Sequence, residues 1–287
     1  MKNKPSSVFK FVSPERMDIL EKGLIRFTPP NDFNDPFELN PTITHHTIDW
    51  VQNHERERHD FDDEDYRFSS ARYAEIGRYR EIINEYAEAH GVLSLSGSEH
   101  SSPRLDLYMD YEKDPRKNLL LWSHYASRHS GMAIEFDTDF IDGELVQVIY
   151  DKERPVCTFE EIEKQTHRIY LNKSPEWRYE SEWRIFKPLA MADSTTTSNM
   201  HLFRIKKSAV KSVTFGCRWS EDVKKRVIEI LGSDSEYSHV QTFFASLDEA
   251  AFKLTFHMEV KVGDKNWSNA PEFQSRCFTI QKRPSSE

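Results

Sequence analysis

Two carboxylates and two guanidinium groups lie within the short segment Arg178-Tyr179-Glu180-Ser181-Glu182-Trp183-Arg184. Glu180 and Glu182 are two residues apart, so a strand would point both side chains to one face. Carboxylates that share a face repel each other, which raises the pKa of one of them. The segment therefore predicts an acid–base device in which Glu182 polarises a sugar hydroxyl and Glu180 assists the incoming nucleophile. Alternatively, each glutamate pairs with Arg178 or Arg184 in a structural cross-strand network.

A second candidate segment is Trp122-Ser123-His124-Tyr125. The spacing of Trp122 and Tyr125 places them on one face of a helix. Either ring could stack on a planar ligand while His124 donates a hydrogen bond. The alternative is structural, with both rings in the core and His124 as a half-buried polar residue.

A third candidate is the segment from Arg26 to Glu38, which is rich in turn residues and phenylalanine. Arg26 follows strand-like residues, and its planar guanidinium suits a phosphate group. Asn34 and Asp35 can fix the loop through hydrogen bonds to its own backbone. A purely structural turn rich in Asn and Asp explains the same pattern.

Metal and glycine-loop chemistry find little support in the sequence. His45, His46, His54 and His59 supply metal-ligand types, but their spacing matches no recognised site, so no metal is expected. The chain has nine glycines and lacks the GxGxxG, GxSxG and Walker-type patterns, which disfavours a glycine-cradled phosphate.

Composition limits the class of protein. A net charge of −9 disfavours a general nucleic-acid binder, because phosphate contacts need clustered Lys and Arg. Cys157, Cys217 and Cys277 form no CxxC pair, which is typical of a reducing compartment. No apolar run reaches the length of a membrane span, and no secretory signal is evident, so a cytoplasmic location without membrane contact is expected.

The elements that must position these residues predict an α+β fold, with a mixed or antiparallel β core and flanking helices. Strands are predicted over residues 8–12 and 182–189, and a helix over 117–129 that ends at Gly131. The chain is expected to form a single domain over residues 1–287. It would carry a charged helical insertion at about 45–90 and a disordered tail from about residue 283.

Four motifs occur in a fixed order: IRFTPPNDFNDPFE, GVLSLS, LLLWSHYASRHSGMAIEFD and KSPEWRYESEWRIFKPL. This order, over roughly residues 8–250, resembles a widespread bacterial family catalogued as a domain of unknown function.

The same arrangement is similar to divergent ADP-ribosyltransferases, since a strand, a helix and Gly23-Leu24 open the chain and Glu180-Ser181-Glu182 matches an E-x-E pattern. The resemblance implies an ADP-ribosyltransferase-like fold and NAD as substrate. It makes Glu182 the catalytic carboxylate, with Glu180 as its catalytic neighbour. Lys10 or Arg26 would face the NAD phosphates, and Trp122 or Tyr125 would stack on the nicotinamide. The full set expected around the cofactor is Lys10, Arg26, Trp122, His124, Tyr125 and Arg184, with Asn34, Asp35 and Tyr179 as substrate or loop residues.

The resemblance also implies a nucleic-acid or protein target and, for a toxin or antiviral effector, an antitoxin protein as partner. Two alternatives stay open at the level of sequence. One is a nuclease in which Arg26, His124, Glu182 and Arg184 surround a phosphodiester. The other is a non-enzymatic module that binds a partner through its aromatic and arginine motifs.

Overall fold

The structure is a computed structural model that describes residues 4–38, 40–44, 70–98, 114–164 and 167–258. It combines helices with a mixed β-sheet, which confirms the predicted α+β class. The predicted disordered tail from residue 283 and the first part of the predicted insertion, residues 45–69, lie outside the described residues.

The strands are mostly short. In chain order they are β1 (Ser7–Val12), β2 (Leu24–Phe27), β3 (Thr42–Thr44), β4 (His90–Ser98), β5 (Met132–Phe136), β6 (Val146–Gln147), β7 (Ile149–Tyr150), β8 (Val156–Thr158), β9 (Asn172–Lys173), β10 (Glu182–Pro188), β11 (Ser194–Thr195), β12 (His201–Arg204), β13 (Val210–Phe215), β14 (Gln241–Leu247) and β15 (Leu254–Met258).

The α-helices are α1 (Asp18–Lys22), α2 (Ser70–Ala89), α3 (Leu119–Tyr125), α4 (Phe159–Glu163) and α5 (Glu221–Ser233). Short 3-10 helices connect several strands, and the segment Pro175–Glu180 immediately before β10 is one of them. Gly23 ends α1 in the left-handed region with φ 66°, where a residue without Cβ is favoured.

The main sheet has the strand order β15-β14-β13-β5-β1-β4-β10-β6. Its pairs are antiparallel except for β13 and β14. A second sheet has the order β11-β12-β2, and two further pairs, β3 with β8 and β7 with β9, are parallel. The long β10–β4 ladder runs from Glu182 opposite Ser96 to Pro188 opposite His90.

Strand β1 lies at the centre of the main sheet, and its sequence SVFKFV alternates between two cores. Val8 and Val12 join the larger core cluster, whereas Phe9 and Phe11 pack with Leu121 and Trp122 of α3 on the other face. Burial on both faces explains why the strand is nearly continuously apolar. Lys10 is the charged residue of this strand, and it lies where β1 stops pairing with β4.

The sheet separates between β1 and β4 beyond Phe9. The β1–β4 ladder ends at Phe9 opposite Ser96, whereas the β1–β5 ladder continues to Val12 opposite Met132. Lys10 lies at this separation and donates a hydrogen bond from Nζ to the Ser94 carbonyl at 2.8 Å. The separation opens a cleft between two central strands, which is a frequent place for a ligand.

Helix α2 belongs to the predicted charged insertion, yet its C-terminal half contributes to a core. Tyr79, Ile83 and Tyr86 are buried, and they pack in one cluster with Tyr170 and Cys157. This half is therefore an amphipathic helix whose apolar side chains are held by tertiary packing.

Helix α3 is shorter than the predicted helix over residues 117–129. It ends at Tyr125, and the next turn contains Ser127, Arg128 and His129 at positive φ values of 48°, 55° and 72°. The cause is Gly131, where a Cβ atom would lie 2.0 Å from the Val12 carbonyl oxygen. The chain must turn sharply to bring Gly131 against β1, so the helix cannot continue.

Candidate functional site

A cleft of about 340 Å³ lies where β1 and β4 separate. Lys10 lines it from β1, Ser94 and Ser96 from β4, and Glu182 and Arg184 from β10. Tyr125 of α3 and Asn34 of the loop after β2 lie along its margin. Six of the predicted site residues, Glu180 included, therefore line one cleft, although they come from distant parts of the chain.

Lys173 is the centre of the charged groups in this cleft. Its Nζ atom lies 2.7 Å from Glu180, 3.1 Å from Glu38 and 3.2 Å from Glu182. All four side chains are at most 5% exposed. Buried carboxylates that share one ammonium are stable only when every charge is paired, so the geometry is strongly interdependent.

Arg184 forms the second half of this network. Its Nε donates to Glu182 at 2.8 Å, and its terminal nitrogens donate to Glu182, to Glu38 and to the Tyr170 carbonyl. The two bonds to Glu182 form the paired arrangement that guanidinium and carboxylate groups favour. Arg184 is thus fully buried and anchors Glu182. The structural pairing weighed for Arg184 at the sequence level is present.

The prediction that Glu180 and Glu182 meet because a strand points them to one face is wrong in its local geometry. Glu180 is the last residue of the 3-10 helix Pro175–Glu180, and only Glu182 belongs to β10. Between them Ser181 adopts the left-handed conformation, with φ 45° and ψ 49°. This turn still brings both carboxylates into contact with Lys173. The contact does not depend on the alternation of side chains along a strand.

The two carboxylates differ in their protonation. Burial disfavours the charge of Glu182, but Arg184 and Lys173 outweigh burial and hold the pKa of Glu182 well below its usual range. Burial raises the pKa of Glu180, and the charge of Lys173 counteracts only part of that shift. Glu182 is therefore a permanent anion, whereas Glu180 is the group able to exchange a proton.

Lys10 is the cation of the cleft that no carboxylate holds directly. Among the described residues it forms one hydrogen bond, to the Ser94 carbonyl, and no ion pair within 4.0 Å. Burial lowers the pKa of Lys10 to about 8, although the nearby charge of Glu182 opposes the shift. Its remaining N–H donors are available to an anionic ligand in the cleft.

Tyr125 connects α3 to the carboxylates. Its hydroxyl donates to Glu180 at 2.5 Å, and burial together with the charge of Glu180 raises the pKa of Tyr125 well above its usual value. Tyr179 and His124 lie nearby, with the Tyr179 hydroxyl 2.9 Å from His124 Nδ1. His124 is exposed and does not line the cleft.

Three other predicted residues lie away from the cleft floor. The Trp122 side chain is fully buried, and its indole nitrogen donates to the Arg116 carbonyl at 2.6 Å. That ring belongs to the core and is closed to a ligand. Arg26 forms an ion pair with Asp32 at 3.1 Å, and Asp35 accepts the Phe37 amide at 2.9 Å. The bond at Asp35 is the predicted fixing of a loop by its own backbone.

Sequence reasoning missed three of the residues that define the site. Glu38 is only the end of the third candidate segment, Lys173 is the first residue of the fourth motif, and Ser94 lies within the GVLSLS motif. The alternation of residues in β4 is a signal that could have identified Ser94. Leu93 and Leu95 point into the core, so Ser94 and Ser96 point their hydroxyls to the opposite face of the strand.

Metal ligation is not evident in the part of the chain that the structure describes, where no group of three His, Cys, Asp or Glu side chains is arranged to hold an ion. The three glutamates of the cleft converge on a position that the Lys173 ammonium occupies.

Of the described helices, none has the length and apolar character needed to cross a membrane.

Comparison with known proteins gives one family. Residues 121–185 match the family described as "Protein of unknown function (DUF2971)", a range that includes most of α3 together with Lys173, Glu180, Glu182 and Arg184. This match supports the predicted relationship to a family of unknown function. No curated protein matches the chain, and no solved structure matches it.

Proposed function

We propose that this protein is an NAD-dependent ADP-ribosyltransferase whose active site is the cleft between β1 and β4. One observation carries the proposal. A buried carboxylate that stays ionised, Glu182, and a cation without a carboxylate partner, Lys10, line the same cleft of about 340 Å³. These are the charges that breaking a nicotinamide–ribose bond next to a pyrophosphate requires.

The proposed reaction breaks the bond between the ribose C1′ and the nicotinamide nitrogen, and the bonding electrons leave with nicotinamide. Positive charge then develops on the ribose, as in the oxocarbenium-like state of glycoside hydrolysis. The Glu182 carboxylate is held in place by Arg184 before the reaction begins, so it stabilises that charge without reorganising.

Glu180 is the proposed general base. As the acceptor attacks C1′, its proton passes to the Glu180 carboxylate, which is suited to the task because burial raises its pKa. Of the two rings predicted to stack on nicotinamide, Trp122 is fully buried and Tyr125 lines the cleft, so Tyr125 takes this role. Lys10, which lies on β1, pairs with the pyrophosphate of NAD. The separation of the sheet supports an ADP-ribosyltransferase-like fold as part of the proposal.

The test is nicotinamide release from NAD by purified protein. We expect turnover by the wild type and a loss of at least about 100-fold in Glu182→Gln, because the neutral amide cannot balance the developing charge. Glu176→Gln is the matched control, since Glu176 is an exposed glutamate in the helix next to Glu180 and should keep wild-type turnover. Equal release by Glu182→Gln and wild type would exclude this role for Glu182.

NAD labelled in its adenylate portion then identifies the acceptor. Label that becomes attached to protein or nucleic acid indicates a transferase, whereas label that stays in free ADP-ribose indicates hydrolysis.

A further inference from the structure

Lys173 contacts three carboxylates that approach the cleft from different parts of the chain. Glu38 belongs to the loop after β2, Glu180 ends the 3-10 helix, and Glu182 begins β10. All three have an oxygen within 3.2 Å of the one ammonium nitrogen. Clusters of this kind usually require a bound cation, because three buried carboxylates repel one another strongly.

The positive charge within the cluster is shared unequally, because two cations, Lys173 and Arg184, serve three carboxylates. Glu38 bridges the two cations, with one oxygen 3.1 Å from Lys173 and the other 2.5 Å from Arg184. Glu182 bridges the same two cations, with oxygens 3.2 Å and 2.8 Å away. Glu180 contacts Lys173 alone and completes its pairing with the neutral Tyr125 hydroxyl. Glu180 is thus the carboxylate with the least positive charge around it.

We propose that Lys173 and Glu38 are positioning residues that apportion positive charge between Glu180 and Glu182, so that an internal ammonium does what a metal ion does in other carboxylate sites. The catalytic meaning of this division rests on the proposed function. The division itself is a property of the fold, since Lys173 is shared by all three carboxylates and Arg184 by only two.

Two substitutions should shift the pKa of both carboxylates, one substitution upwards and the other downwards. Lys173→Met removes a charge that stabilises both anions, so both Glu180 and Glu182 should bind protons more tightly. Glu38→Gln removes a competitor for Lys173 and Arg184, so both should bind protons less tightly. A residue that only fills space would give no such change of sign.

Other charged or titratable groups face the pair and must stay unchanged in the comparison. They are Lys10, Tyr125, Tyr150, Tyr179 and Arg184. None of them is altered in Glu38→Gln or Lys173→Met, so each titration is read against the same surroundings.

The experiment is a carbon-13 NMR titration of the full chain labelled at glutamate carboxyls, with the signals assigned from Glu180→Gln and Glu182→Gln. We expect the midpoint of Glu180 to rise by at least one pH unit in Lys173→Met, a tenfold change in proton affinity, and to fall in Glu38→Gln. Lys164→Met is the control, because Lys164 pairs with Glu160 at an exposed site. It should leave both midpoints unchanged.

If Lys173→Met unfolds the chain, Glu38→Gln decides the question alone, since that change keeps the shape of the side chain. Unchanged or raised midpoints in folded Glu38→Gln would overturn the proposal. Lys173→Arg retains the charge and should restore midpoints close to wild type. Nicotinamide release is measured in parallel: absence of release in wild type contradicts the proposed function, whereas the titration decides this inference separately.

Discussion

At the scale of single residues, the two lysines of the cleft have opposite roles. Lys173 is held by three carboxylates, and their charges outweigh burial and raise its pKa well above the usual value. Lys10 instead donates a hydrogen bond to the backbone carbonyl of Ser94, and burial lowers its pKa. A charge that is buried without direct compensation costs folding stability, and such groups concentrate at functional sites.

Lys10→Met is therefore expected to raise the stability of the folded protein at neutral pH. The pKa of Lys10 in the folded protein is about 8, below the ordinary 10.5 of an unfolded chain. Below pH 8 both states carry the charge and the folded state bears its full burial cost. Between pH 8 and 10.5 the folded state alone has lost the proton, so the cost declines as pH rises.

Urea unfolding from pH 7 to pH 10 measures this effect. The stability advantage of Lys10→Met over wild type should be largest at pH 7 and narrow towards pH 10. Lys206→Met, at a lysine side chain that is 53% exposed, should show no such trend. A Lys10→Met protein that is less stable than wild type at pH 7 would contradict the burial argument.

At the scale of elements, the turn between the 3-10 helix Pro175–Glu180 and β10 determines where the carboxylates lie. The two-residue spacing of Glu180 and Glu182 correctly predicted that their carboxylates lie close together, but for the wrong geometric reason. Strand periodicity could not reveal the left-handed Ser181, because the residue type does not signal it. Likewise, helix α3 stopped early because of the approach of Gly131 to Val12, a tertiary constraint that local pattern does not contain.

Substitutions at Ser181 test the importance of this turn. Its side chain is exposed, so a change there acts mainly through the backbone. Ser181→Val should destabilise the protein by about 1–3 kcal/mol, because a β-branched residue is strained at positive φ. It should also reduce nicotinamide release by displacing Glu180 from Lys173.

Ser181→Gly should remain within about 1 kcal/mol of wild type, since glycine accepts the conformation but gains freedom in the unfolded chain. Ser194→Val, at an exposed serine in β11, is the control for adding a β-branched side chain. Thermal unfolding and turnover of all three variants provide the measurement. If Ser181→Val and Ser194→Val have the same thermal stability and the same turnover, the left-handed turn at Ser181 does not determine where the carboxylates lie.

At the scale of the whole molecule, the sequence predicted the α+β fold class, strands β1 and β10, and six of the residues that line the cleft. It did not predict the separation of β1 from β4, which depends on pairing between strands far apart in the chain. Nor could it place Glu38 and Lys173 together, because 135 positions separate them and only the folded chain unites them. Composition did indicate an acidic protein, and the cleft is lined by four carboxylates and three cations.

The position of Lys173 among the three glutamates predicts that activity is independent of metal ions. The Lys173 ammonium already occupies the position where the three glutamates converge, so a divalent ion would have to displace it. Turnover of NAD should be the same before and after treatment with EDTA followed by gel filtration. Loss of NAD turnover that added Mg²⁺ or Mn²⁺ restores would contradict this account.

The most direct test of the central claim is a calorimetric titration of the full chain with NAD, for wild type and Glu182→Gln, with nicotinamide measured in the same samples. The account predicts saturable binding of one NAD to both proteins, because Lys10 and Tyr125 remain, and nicotinamide release by wild type alone. Absence of binding to either folded protein at millimolar NAD would contradict the assignment of this cleft as an NAD site.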